Sequence, residues 1–126
     1  MKEIVTGPDV PAAIGPYSAA VRANGFVFVS GQPGVDPRTG EAAGPTFGEQ
    51  ARQAFSNLDA VLEAAGTNRQ NVVSTMMLVA DQADFAELNQ LYGDYFAVDP
   101  PARMTMQVPL PRGLLISIGC TAVLND

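Results

Sequence analysis

The chain of 126 residues has no histidine, no tryptophan and a single cysteine. Without histidine there is no serine-histidine triad, no imidazole general base and none of the commonest transition-metal ligand. The lone Cys120 cannot close an internal disulfide or supply a structural zinc site by itself. It shares an alternating face with Ile116 and Ile118 and reads as buried packing rather than a nucleophile. Catalysis here must draw on tyrosine, carboxylate, arginine, hydroxyls, backbone or water, and neither a metal nor another cofactor is expected.

Charge is scarce too. Only 16% of residues are charged, against 47% hydrophobic, and the net charge is -6. The seven basic residues, Lys2, Arg22, Arg38, Arg52, Arg69, Arg103 and Arg112, are scattered rather than gathered in a stripe. Nucleic acid should therefore be repelled overall. No apolar run reaches membrane-spanning length, and the first nine residues carry no apolar signal region, so a cytoplasmic protein is expected. The length suits one domain over residues 1–126 with a single core. A chain with so little charged surface is suited to burying surface against copies of itself.

No linker, repeat or low-complexity tract divides the sequence. Ile4-Val5 begins a short strand, and Ser18 to Ala23 turns at Asn24-Gly25 into Phe26 to Ser30, a strong hairpin signal. Gly31 to Pro45 reads as loop. Thr46-Phe47-Gly48-Glu49 has capping-box spacing, and Phe47, Ala51, Ala54, Phe55, Leu58, Val61, Leu62 and Ala65 recur at helical intervals until Gly66. Val72 to Ala80 is long enough for a strand buried on both sides. Asp81 is placed to cap a second helix with stripe Phe85, Leu88, Tyr92, Tyr95 and Phe96, ended by Pro100-Pro101, and Asn89 falls on its inner side. Two further strands follow. The pattern predicts a two-layer α+β domain with a mixed six-stranded sheet and two helices on one face. The uncovered face, including Met76 or Met77, must then be buried elsewhere, most simply in an oligomer.

Arg103 is the most informative residue. Strand parity places Arg103, Thr105 and Gln107 on one face and Ala102, Met104, Met106 and Val108 on the other, which reads as core. The last strand alternates likewise, with Ser117, Gly119 and Thr121 opposite Ile116, Ile118 and Cys120. A hairpin around Pro109 to Gly113 would merge the two polar faces, with no carboxylate near the guanidinium. Such an arginine is a candidate anion site, and its rigid fork matches a small carboxylate. A solvated edge arginine, or one paired across a subunit interface, would leave the same pattern.

Four segments, Ile14-Gly15-Pro16-Tyr17-Ser18, Val29-Ser30-Gly31-Gln32-Pro33, Asp84 to Asn89 with Tyr92 and Phe96, and Pro101-Ala102-Arg103 followed by Leu110-Pro111-Arg112-Gly113, stand in the order and spacing of one known family. With Asn57-Leu58 in the first helix, the set resembles the Rid (YjgF/YER057c/UK114) family of reactive-intermediate deaminases over nearly the whole chain. The resemblance implies a chorismate-mutase-like fold and a homotrimer with a ligand cleft at each subunit interface. It also implies hydrolysis of enamine and imine intermediates, such as 2-iminopropanoate, to 2-keto acids and ammonia. Arg103 matches the arginine that grips the substrate carboxylate, and Tyr17 the tyrosine of the cleft. Ser30, Gly31, Asn89 and Thr105 fall at positions that line it. One departure stands out: where family deaminases commonly read apolar-Glu-apolar-Glu, with the first glutamate credited with helping to place or activate water, this chain has Ser117 and Gly119. Serine is a poor proton acceptor near neutral pH. A non-catalytic module binding a 2-keto acid or related carboxylate on the same fold is the alternative, and a ribonuclease or translation inhibitor, a role described for relatives, is the more distant one.

Overall fold

The structure, a computed structural model, describes residues 1–125. In chain order it contains β1 (Glu3–Ile4), β2 (Ala20–Ala23), β3 (Phe26–Pro33), β4 (Val35–Asp36), β5 (Glu41–Ala42), α1 (Phe47–Ala65), β6 (Val72–Val79), α2 (Phe85–Tyr95), β7 (Ala102–Gln107) and β8 (Ile116–Val123). Six strands form one sheet in the order β1-β2-β3-β8-β6-β7, and β4 and β5 form a separate hairpin. All neighbours in the large sheet are antiparallel except β6 and β7, which run parallel because α2 serves as the crossover between them. The result is the expected mixed α+β sheet with two helices on it. Among the described residues no helix is long and apolar enough to cross a membrane.

Local signals act where they stand in the sequence. Asn24 and Gly25 both take positive φ, 52° and 81°, as a tight turn between twisted strands requires. Thr46 caps α1 by accepting from the Glu49 amide at 3.2 Å, and Gly66 ends it in the left-handed region at φ 88°. The apolar stripe of α1 is buried against the sheet, where Val27, Met77, Val79, Ile116, Ile118 and Ala122 have no exposed surface. Each large side chain so buried contributes about 1.5–3 kcal/mol.

Several expectations are corrected. β7 and β8 do not form a hairpin, because β8 enters between β3 and β6 and leaves β7 at the edge. The covered face decides this. β8 offers Ile116, Ile118, Cys120 and Ala122 to α1, whereas β7 offers Arg103, Thr105 and Gln107 to the same side, a set that can stand only where the helices thin out. Parity itself was right, but the apolar side of β7 is not core: Met104 and Met106 lie on the open face, 56% and 38% exposed. β6 is likewise covered on one side only, with Met77 buried and Met76 exposed on the open face. The region expected as loop after Gly31 carries the end of β3 and the β4-β5 hairpin. Asp81 caps a short 3-10 turn at Gln82–Asp84 rather than α2, whose own start has no side-chain cap.

Buried amides on α1 hold the loops around that hairpin. Asn57 donates to the carbonyls of Pro33 and Val35 at 3.1 and 2.8 Å. Gln50, 1% exposed, donates to Gly44 and Gly113 carbonyls and accepts from the Leu115 amide. Gly34 lies so close to α1 that a Cβ would fall 2.3 Å from the Gln50 carbonyl oxygen.

Candidate functional site

The sequence-predicted residues assemble into two groups. The first surrounds Arg103 at the β7 edge. Arg103 stands opposite Thr75 of β6, on the helix-bearing side of the sheet. Its Nη2 donates to Asn89 Oδ1 at 2.8 Å, and its Cζ lies 4.8 Å from the centroid of the Tyr92 ring. The Tyr92 hydroxyl is hydrogen-bonded to the buried Thr75 Oγ1 at 2.8 Å. Burial pushes the Tyr92 phenol upward, although the Thr75 bond and the nearby Arg103 charge act the other way. Two residues along β7, on the same face, the buried Thr105 Oγ1 has no protein partner. None of the three ion pairs among the described residues involves Arg103. Its fork is therefore held by Asn89 and, among the described residues, paired with no acid, an arrangement suited to an anion.

Asn89 is exposed rather than on the inner side of α2. Leu88, Tyr92 and Tyr95 face the core, and one step beyond Leu88 turns the chain by about 100°, which carries Asn89 out to the β7 edge. Tyr92 and Thr75 are the members of this group that sequence reasoning missed as site residues. Their signal was the spacing of three between Asn89 and Tyr92, readable only once β7 is known to run beside α2.

The second group lies near β3 and the amino-terminal loop. The Tyr17 ring is half exposed and its oxygen accepts from the Ile14 amide at 3.3 Å, leaving the phenolic proton free to donate. Ser30 donates from its hydroxyl to the Ser18 carbonyl at 2.6 Å, so its proton is already committed within the chain. A bulge between Val29 and Gln32 interrupts the β3-β8 register at Ser30 and Gly31. A Cβ at Gly31 would come 2.6 Å from Ser117 Oγ, so Gly31 and Ser117 are in direct apposition. A pocket of about 140 Å³ is lined by Ile14, Tyr17, Gly31, Pro33, Asn57 and Arg112. On the open face beside it, Gly31, Ser117, Gly119 and Thr121 floor a hollow of about 430 Å³ between Phe28 and Met76.

The chain alone does not bring the two groups together. Gly31 is on β3 and Arg103 on β7, with β8 and β6 between them. Three strand spacings amount to about 14 Å. Cys120 belongs to neither group's chemistry, since burial pushes its thiol up to about 12. No cluster of three or more metal-ligating residues occurs among the described residues.

Comparison with known proteins fits this geometry to a family. Residues 8–124 match the sequence family described as endoribonuclease L-PSP. The mouse 2-iminobutanoate/2-iminopropanoate deaminase is 42% identical over 124 residues, covering 98% of this chain and 92% of the mouse protein. The structure of the Rid-family protein YyfA from Yersinia pestis superposes with a TM-score of 0.94 at 36% identity, covering 98% of this chain and all of that one. The chain belongs to the Rid family. The structure of E. coli TdcF with bound serine is similar too, with a TM-score of 0.91, 33% identity and coverage of 98% of this chain and 99% of that one. The match spans every residue of both groups, from Tyr17 to Ser117, and these relatives share the chorismate-mutase-like α+β fold.

Proposed function

We propose that this Rid-family protein hydrolyses enamine and imine intermediates of the 2-iminopropanoate type to 2-keto acids and ammonia. The observation that carries the reading is the Arg103 guanidinium, held by Asn89 and Tyr92 with no carboxylate partner among the described residues. It suits a small carboxylate, and the names of two relatives point the same way: the mouse deaminase acts on 2-imino acids, and TdcF binds serine, an α-amino carboxylate.

The site is assigned to the interface of a homotrimer. Arg103, with Asn89 and Thr105, would come from one copy, and Tyr17, Ser30, Gly31 and Ser117 from the next. Two observations support this: the groups are too far apart within one chain, and the open sheet face exposes Ile4, Phe26, Phe28, Met76, Met104 and Met106.

Arg103 would grip the carboxylate bidentately, and the unpaired Thr105 hydroxyl would complete its polar surroundings. Tyr17, whose proton is free, would hold the attacking water or donate to the imine nitrogen. Water adds to the imine carbon, its oxygen forming the new bond as the C=N electrons move to nitrogen. The nitrogen gains one proton from the water at addition and the second from the carbinolamine hydroxyl, and it leaves as ammonia as the C–N bond breaks and the C=O forms. No external oxidant or reductant enters this balance, and positioning supplies much of the acceleration because the imine is already electrophilic.

A second reading, a non-catalytic carboxylate-binding module, is favoured by one observation: Ser117 and Gly119 stand where family deaminases commonly carry glutamates. RNA cleavage fits poorly with a net charge of -6 and no histidine. Ammonia and 2-keto acid release from freshly generated 2-iminopropanoate separates these readings. Arg103-dependent turnover supports the deaminase; tight pyruvate binding without turnover supports the module.

A further inference from the structure

We infer that Tyr92 is a positioning residue for Arg103, acting as a platform whose angle is set by Thr75. The inference rests on the reading of Arg103 as the carboxylate grip. Arg103 is exposed at an edge strand, where an unrestrained arginine loses considerable rotamer freedom each time it binds. Two contacts remove that freedom in advance. Asn89 fixes one nitrogen of the fork, and the guanidinium carbon lies over the Tyr92 ring, 4.8 Å from its centroid. The ring cannot drift. It is 5% exposed, packed against Phe96 with centroids 4.8 Å apart and against Phe55 at 6.4 Å, and its hydroxyl is tied to Thr75.

The order of contacts is therefore Thr75 to Tyr92 to Arg103 to Asn89, running from the buried floor of β6 to the sheet edge. Thr75 and Arg103 are register partners on adjacent parallel strands, so the tyrosine spans from one strand's side chain to the next. Nothing in this arrangement requires Tyr92 to touch the substrate. Its part is to hold the fork at one angle, so that a planar carboxylate meets both donors at once.

The test uses the full chain and two readouts. In ligand-free protein, the side-chain protons of Arg103, assigned by their loss in Arg103→Lys, should show an upfield ring-current shift. Tyr92→Leu should abolish that shift, whereas Tyr92→Phe and Thr75→Val should keep part of it. By calorimetry with pyruvate as the probe, Tyr92→Leu should weaken binding by about 2- to 30-fold. Tyr92→Phe should weaken it less, and the double variant Tyr92→Leu/Arg103→Lys should bind no worse than Arg103→Lys. Additive losses, or an Arg103 shift unchanged in folded Tyr92→Leu, would overturn the assignment. Should Tyr92→Leu fail to fold, Tyr92→Phe and Thr75→Val decide: an Arg103 signal and pyruvate affinity identical to the unaltered chain in both would overturn it. If pyruvate binding is indifferent to Arg103→Lys, the functional reading falls, and the ligand-free spectra still judge whether Tyr92 orders the arginine.

Discussion

Arg103 and Ser117 lie on opposite faces of one sheet, with β6 between their strands. Arg103 shares its face with the buried Thr75, and Ser117 shares its face with the open hollow beside Gly31. The interface site proposed above is the arrangement in which one ligand would touch both. The same separation means that a carboxylate introduced at 117 could not pair with the arginine of its own chain.

Assembly is the first consequence. Sedimentation should show a species near three times the chain mass of 13.2 kDa. Phe28→Glu, which places a charge on the open face beside Phe26, should dissociate it and remove pyruvate binding together with it. A stable monomer of the unaltered chain at micromolar concentration would remove both the trimer and the interface site.

Arg103→Lys keeps the charge and loses the fork. Hydrogen bonds to charged groups are worth about 1.5–3 kcal/mol, so affinity for pyruvate should fall by about 10- to 150-fold. The thermal midpoint should barely move, since Arg103 is exposed and belongs to no ion pair among the described residues. Equal affinity in calorimetry would refute the carboxylate-gripping role.

Ser117→Glu tests whether the missing acid limits water activation. General acid or base assistance is worth about 10² to 10⁴ in rate, so kcat should rise, while the new carboxylate, set beside the neighbouring copy's Arg103 in the proposed interface, should weaken pyruvate binding; turnover and affinity are therefore measured separately. The introduced side chain starts beside Gly31, where the backbone already approaches Ser117 closely. Fast turnover in the unaltered chain that Ser117→Glu leaves unchanged or lowers would move the proton chemistry to Tyr17 or to the substrate.

Cys120 makes stability depend on alkaline pH. Burial pushes its thiol from 9.0 to about 12, so between those values the unfolded chain releases a proton that the folded chain retains. Unfolding is then favoured as pH rises through that window, and below it the group contributes no slope. The phenol of Tyr92, raised mainly by burial, acts in the same direction at higher pH. Denaturant titrations at pH 7.5 and 10.5 should show a smaller alkaline loss of stability in Cys120→Ala. An identical loss in both proteins would contradict it.

Much of the chain was legible before folding because the information is local. The Thr46 cap, the Gly66 stop, the Asn24-Gly25 turn and the α1 stripe each depend on residues a few positions apart. Arg103 could be singled out in the same way, as a charge on an alternating strand whose polar face, like that of the last strand, carries no acid. The four-segment resemblance likewise singled out Tyr17, Gly31 and Asn89 as candidates without coordinates.

Parity, however, says which side chains share a face and not which face is covered. That was settled when β8, with an uninterrupted apolar side, took the slot beneath α1 and displaced β7 to the edge. From that exchange follow the exposure of Met104 and Met106, the meeting of Arg103 with Tyr92 and Thr75, and its separation from Ser117. Strand order is a competition among segments distant in sequence for the few positions where both neighbours and a covering helix are present. Its outcome depends on the burial of the whole sheet, which no window of a single strand contains.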